Sequence, residues 1–377
     1  MNMTAPAHGD ALTVFLCGDV MTGRGIDQVL PHPCPPHLYE PYVRDARDYV
    51  ALAEEVNGPI PRPVGLDYIW GDALAELERR APDVRLINLE TSITTSEAWW
   101  PDKGIHYRMN PAHAACLTAA RIGCCALANN HVLDWGYEGL RETLATLRSV
   151  GIATAGAGAH LEQARAPAML DVPGKGRVAV FSFGTRSSGI PPEWVASADR
   201  PGVELLENLA PATARGIGAR VRAIKNTGAL VIASIHWGSN WGYEVPSAQR
   251  EFARALIDEA GVDVVHGHSS HHPRGIEVHR ERPILYGCGD FLNDYEGIRD
   301  NAGFRGDLTL MYFVTLDPTS GRLLSLRMTP MQVRRFQACR ASSADAGWLQ
   351  GLLDREGRRF GTRVTLEGDG SLWLHWT

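Results

Sequence analysis

The chain has 377 residues, 44% of them hydrophobic, and a net charge of −6 with both signs interspersed. That suffices for one large α/β core or two domains, and the lack of a basic stripe argues against nucleic acid as a partner. Met1 to Asp10 is short and polar, no run reaches the roughly 18 apolar residues of a membrane span, and seven cysteines scattered through apolar segments read as reduced thiols, so a cytoplasmic protein without a membrane partner is expected.

Leu12 to Cys17 reads as a buried strand, followed by a helix from Gly23 to Leu30. The Pro-rich stretch Pro31 to Pro63 is too long for an ordinary connection and suggests a lid or substrate-binding excursion. A helix from Tyr68 to Arg80 returns to a strand at Val84 to Ile87. A second excursion, Thr94 to Asn110, carries Trp99, Trp100, His106, Tyr107 and Arg108. Further strands are expected at Cys124 to Ala128, Leu230 to Ile235 and Val262 to Val265. Helices are expected at Pro111 to Ile122, Tyr137 to Val150, Asn208 to Asn226 and Ser247 to Ala260. From Gly275 onward the pattern is of short strands, with one late helix near Ala344 to Arg355 and no internal repeat.

Each of these apolar runs ends in metal-seeking residues, and α/β sheets gather binding groups at the carboxyl ends of strands. Asp19 follows the first strand beside Gly23-Arg24-Gly25, a hard ligand near a cation suited to a carboxylate or phosphate. Alone, Asp19 could as well cap the next helix, and Glu90, after Asn88-Leu89, could simply pair. Asn129-Asn130-His131 with Asp134 is more specific: an amide oxygen can bind a cation while the next imidazole acts as acid or base, oriented by a carboxylate. Asp134 could instead cap the helix near Tyr137, and His236 could be a satisfied core histidine. Gly267-His268-Ser269-Ser270-His271-His272 is the strongest signal, since histidines on a Gly-containing turn can converge on a metal as a regular strand would not allow.

Taken together, Gly-Asp, Asn-Leu-Glu, Asn-Asn-His-x-x-Asp, His-Trp-Gly and Gly-His-x-x-His resemble the CapA-type branch of the calcineurin-like metallophosphatase superfamily, from about Leu12 to Asn293. The resemblance implies an α/β sandwich of two mixed β-sheets flanked by helices, with a metal centre at the strand ends. It implies Asp19, Glu90, Asn130, His236, His268 and His271 as ligand candidates and His131 as the acid/base. The catalytic domain would span 11–335, with insertions at about 31–66 and 94–110, and 336–377 would form a C-terminal α/β extension packed on it.

Two departures alter the expected chemistry. Dinuclear phosphoesterases carry Asp-x-His in the first motif, whereas Val20 and Met21 follow Asp19 here, and Glu90 replaces their bridging Asp. Met21 is a poor ligand for a hard cation, so one half of a two-metal site is depleted. Asp290 stands where many CapA-type sequences have Asn, giving a second His/Asp pairing, with His268 or His271, besides His131 with Asp134. Two acid/base groups serve removal and return of a Cα proton. Within the family the chain therefore resembles the lasso-peptide epimerases. That resemblance implies one divalent metal, Ca²⁺ favoured and Mn²⁺, Fe²⁺ or Zn²⁺ as alternatives, and a precursor peptide bound through its C-terminus. Arg24, Trp99, Trp100, Trp237 and Arg274 are the expected substrate contacts. A metallophosphoesterase or other hydrolase, and an accessory protein of poly-gamma-glutamate synthesis, are the competing readings.

Overall fold

The computed structural model describes residues 11–298 and 302–377; the reading of Met1 to Asp10 lies outside the described residues. The first strand, Leu12–Val20, occupies the middle of a ten-stranded sheet. It pairs in parallel with Val84–Leu89, and the parallel order continues through Cys124–Ala126 to Ala153–Ala155. On its other side Leu308–Leu316 runs antiparallel, followed by Leu323–Arg334 and the hairpin strands Leu372–Trp376 and Thr362–Leu366. The seven-stranded second sheet is centred on Gly176–Thr185, Leu230–His236 and Val264–His268, all parallel.

Alternation along the strands builds the layers. Val14, Leu16 and Leu86 meet Val178, Val180, Ile232 and Val264 of the second sheet in one buried cluster between the sheets. Phe15, Cys17 and Ile87 point the other way, into a core shared with helical segments. Phe181, Val231 and Ala233 do the same on the outer face of the second sheet, under Pro211–Lys225 and Ser247–Ala255. Strands covered on both faces read as continuous apolar runs, which is why they were visible in the sequence. The architecture is the expected sandwich of two mixed sheets flanked by helices.

Several elements differ from expectation. The helix expected from Gly23 to Leu30 is a short one, Gly25–Val29, and that from Tyr68 to Arg80 is a 3₁₀ turn followed by Ala73–Arg80. The Pro-rich excursion contains an 11-residue helix, Arg47–Asn57, whose prolines all lie outside it. The strand Gly176–Thr185 was not anticipated, and the strands after Gly275 include two long ones of 9 and 12 residues. Residues beyond 336 extend the larger sheet, and the helix Ser343–Gly357 inserts Leu349 and Leu353 into the inter-sheet core. Among the described residues no helix is long and apolar enough to cross a membrane.

The two excursions pack on each other. Tyr39 of the first stacks on Trp99 of the second, with ring centroids 4.6 Å apart. The second is pinned where Ser92–Ile93 pairs in parallel with Arg108–Met109 and where Tyr107 N donates to Asp134 Oδ2.

Candidate metal centre

Glycines set the approach of the chain at the heart of the site. A Cβ on Gly18 would lie 1.6 Å from the Gly289 carbonyl oxygen, so only glycine lets the Asp290–Leu292 strand lie against the first one. That contact puts Asp290 in register with Asp19. Asn88 Nδ2 donates to Asp19 Oδ1 at 2.7 Å and to Glu90 Oε2 at 3.3 Å, while Ser269 N donates to Asp19 Oδ2. Ser269 does so from a φ of 92°, a conformation that costs a non-glycine residue about 1–3 kcal/mol.

The second sheet delivers the imidazoles. His236 and His268 are register partners on adjacent strands, with Nδ1 atoms 2.8 Å apart. Donor atoms of Asp19, His236 and His268 all lie within 4.8 Å of one another. Asn130 Oδ1 lies 2.9 Å from His236 Nε2, and Glu90 Oε1 lies 3.8 Å from both His236 Nε2 and His131 Nε2.

A buried relay fixes which nitrogen of His268 is free. The Cys17 carbonyl can only accept, so His266 Nε2, 2.7 Å away, donates to it. Burial pushes the His266 pKa down to about 4, so His266 is neutral and its Nδ1 accepts from Ser234 Oγ. Ser234 Oγ in turn accepts from His268 Nε2 at 2.9 Å. His268 Nδ1 is left with a lone pair aimed at His236. Burial, reinforced by His131, keeps His236 neutral as well, so it has one proton for two flanking acceptors, His268 Nδ1 and Asn130 Oδ1. With the Asn130 amide presenting its oxygen, one of these contacts is acceptor against acceptor. A cation among these atoms removes that conflict, and the mixed nitrogen and oxygen set is one that divalent metals accept.

The carboxylates agree. Burial and then the Asp290 charge raise the Asp19 pKa to about 7, and burial followed by Asp19 and Asp290 pushes Glu90 well above its usual range. A raised folded-state carboxyl pKa costs nothing while the group is protonated in both states. It destabilises progressively as pH rises from the unfolded value through the folded one. Metal-free protein is therefore expected to lose stability between about pH 4 and pH 7, with added divalent metal raising the melting temperature most at the upper end. Thermal melts across pH with and without metal check this; a metal-induced shift equal at pH 5 and pH 8 would count against the ligand set.

Two His/Asp dyads reach this cluster by different routes. His131 Nδ1 lies 2.6 Å from Asp134 Oδ2, leaving Nε2 toward Glu90. Asp134 caps no helix; besides His131 it is paired with Lys103 Nζ at 2.6 Å. His271 Nδ1 lies 2.8 Å from Asp290 Oδ2, which also accepts from Asn293 Nδ2. Burial, then Lys103 and Arg24, lower the His131 pKa well below the usual value; at His271 the Asp290 carboxylate overrides burial and raises it. The dyads are thus biased in opposite directions, one toward a neutral base and the other toward a protonated acid. His271 lines a cavity of about 570 Å³ whose walls include Tyr295, Trp241, Asn240 and Arg24.

The expected substrate contacts are placed differently. All the guanidinium nitrogens of Arg24 are engaged, by Asp294, Glu40 and the Tyr49 hydroxyl, so it braces the site instead of offering a free cation to a carboxylate. Trp237 is buried in the outer core, donating to the Tyr286 carbonyl. Arg274 is buried and donates to the Ser239 carbonyl. Trp99 stacks on Tyr39, and Trp100 packs edge-on against Tyr137 and Trp194. Trp99, Trp100, Trp237 and Arg274 do not line the cavity. His271 is bound to Asp290 and falls outside the Asp19/His236/His268 group, so acid/base work suits it better than ligation. His268 is the reverse. Lys103 and Tyr295 carry no signal in the sequence, whereas Asn88, two residues before Glu90, and Tyr107, within the second excursion, stand in segments the sequence singles out but have no role that it reveals.

A sandwich of two mixed sheets with carboxylate, amide and imidazole donors converging at strand ends is the architecture of the calcineurin-like metallophosphatases. The chain belongs to the family described as "Bacterial capsule synthesis protein PGA_cap", which it matches over residues 13–295. It is 52% identical over 364 residues, 96% of each chain, to a Mycobacterium tuberculosis protein named "Probable polyglutamine synthesis accessory protein". It is 26% identical to the "PGA biosynthesis protein CapA" of Bacillus subtilis, covering 78% of this chain and 67% of that one. With the "Capsule biosynthesis protein CapA" of Bacillus anthracis it shares 23% identity over 76% of this chain and 61% of that one.

Proposed function

We propose that this chain serves the assembly of a glutamate-type polymer or related peptide, and that its site is a metal-dependent catalyst of proton transfer at the Cα of a peptide's carboxyl-terminal residue. The names of the relatives support the setting. The chemistry rests on one observation: two separate His/Asp dyads, His131–Asp134 and His271–Asp290, flank a single ligand cluster. Hydrolysis of a phosphoester needs one such acid; inversion of a carbon centre uses two, one removing the proton as the other returns it. Asp19, Glu90, Asn130, His236 and His268 would hold the metal, which when bound would neutralise charge on the substrate's carboxylate. His131, oriented by Asp134, takes the proton on Nε2, and His271, held by Asp290, supplies one. Two imidazoles in the donor set suit Mn²⁺, Fe²⁺ or Zn²⁺ better than Ca²⁺, which takes oxygen ligands. Inversion of the last residue, tryptophan for example, of a lasso-peptide precursor is the narrower form of this reading; the paired dyads support it, and the relatives' names do not.

The relatives' names favour a second reading, a non-catalytic accessory role in polyglutamate synthesis. Incubating the metal-loaded protein in D₂O with glutamyl-terminated and tryptophan-terminated peptides decides between them. Deuterium is expected at one Cα and is lost with chelator. Cleavage of an aryl phosphate without exchange would make the protein a hydrolase. Metal binding with neither activity would leave the accessory role.

A further inference from the structure

The two dyads are joined by a pair of phenols. The Tyr107 ring meets His131 edge-on at 4.5 Å between centroids, and the Tyr295 ring lies 5.5 Å from His271. Their hydroxyls touch: Tyr107 Oη donates to Tyr295 Oη at 2.8 Å. Tyr295 Oη then has its own proton to give, and the acceptor within reach is the Met21 thioether at 3.5 Å, a weak one. A strong donor is thus left with a poor partner on the wall of the cavity that also holds His271. The bracing around it is extensive. The Arg24 guanidinium lies over the rings of Tyr49, Tyr107 and Tyr295, at 3.9, 4.4 and 5.8 Å. It is held there by Asp294 and Glu40, from a backbone φ of 48° at which a non-glycine residue is strained.

The geometry points to Tyr295 as a further catalytic residue, its hydroxyl donating to the substrate oxygen that gains negative charge when the Cα proton is removed. This rests on the proton-transfer reading above. The Cα–H bond breaks, its proton goes to an imidazole nitrogen, and its electron pair becomes the C=C bond of an enolate as the carbonyl π pair moves onto oxygen. That oxygen accepts from Tyr295 Oη. Return of a proton from the other imidazole restores the carbonyl and the C–H bond, so no oxidant or further reactant is needed. Burial, with the Asp290 charge behind it, pushes the Tyr295 phenol up, which keeps it a donor. Tyr107 and Arg24 act through Tyr295, as positioning residues.

The test follows deuterium uptake into the same two peptides by Tyr295→Phe. Loss of one donor of this kind costs about 10²–10³ in turnover, so kcat for exchange should fall by that factor while KM and metal stoichiometry stay near those of the unmodified protein. Placing 3,5-difluorotyrosine at position 295 keeps the ring and its contacts while making the phenol a better donor, and should make exchange faster than in the unmodified protein; this variant carries the test if the phenylalanine protein folds poorly. Exchange by Tyr295→Phe within twofold of the unmodified protein overturns the assignment and leaves the proton-transfer reading standing, as does a fluorinated protein that exchanges no faster than the unmodified one. Absence of exchange with the unmodified protein overturns both.

Discussion

His236→Ala and Glu90→Ala are each expected to lose bound metal and activity together. His236 sits between the His268 lone pair and the Asn130 oxygen, 2.8 and 2.9 Å away, and Glu90 closes the oxygen side at 3.8 Å. Removing either takes a donor from a buried cluster in which the remaining polar groups depend on one another. Ser234→Ala provides a graded comparison. It cuts the relay that fixes the His268 tautomer, and loss of such an outer partner typically weakens metal affinity about 10–100-fold. Metal analysis after gel filtration, with titration calorimetry of the stripped proteins, measures all three. One retained equivalent of metal in both ligand variants would sink the ligand assignment.

The dyad variants should fail asymmetrically. His131→Ala removes the group biased toward a neutral base, and His271→Ala removes the one biased toward a protonated acid. Net inversion should disappear in both. The surviving imidazole should still exchange the Cα proton of the stereoisomer that faces it, with each base contributing about 10²–10⁴ in rate. Asp290→Asn should resemble a weakened His271→Ala, since the carboxylate orients that ring and favours its protonated form. Metal content should persist in all three, unlike His236→Ala. If His131→Ala and His271→Ala each slow exchange of both epimers equally, the groups do not serve opposite faces and the two-base assignment is wrong.

The apolar runs of the sequence announced the sandwich, and their ends pointed to the polar residues that the fold brings together. Strands buried on both faces must be continuously apolar, so Leu12–Val20, Val84–Leu89, Cys124–Ala126, Leu230–His236 and Val264–His268 stood out, and Asp19, Glu90, Asn130, His236 and His268 are legible because each lies at or just beyond the end of one of these runs. Local rules could not reveal the helix Arg47–Asn57, lost among flanking prolines, nor the order of strands, which depends on pairings between residues far apart in the chain. Tertiary structure alone decided which partners the histidines of the Gly-His-Ser-Ser-His-His turn meet. His268 faces His236 because their strands are in register, whereas His271 turns to Asp290 because Gly18 admits the strand that carries it. It likewise turned Arg24 from an expected substrate contact into a brace, since its buried charge is neutralised by Glu40 and Asp294, the second of them 270 residues away. A side chain's chemistry is written in its residue type, but whether that chemistry is free to act depends on partners that only folding brings within reach.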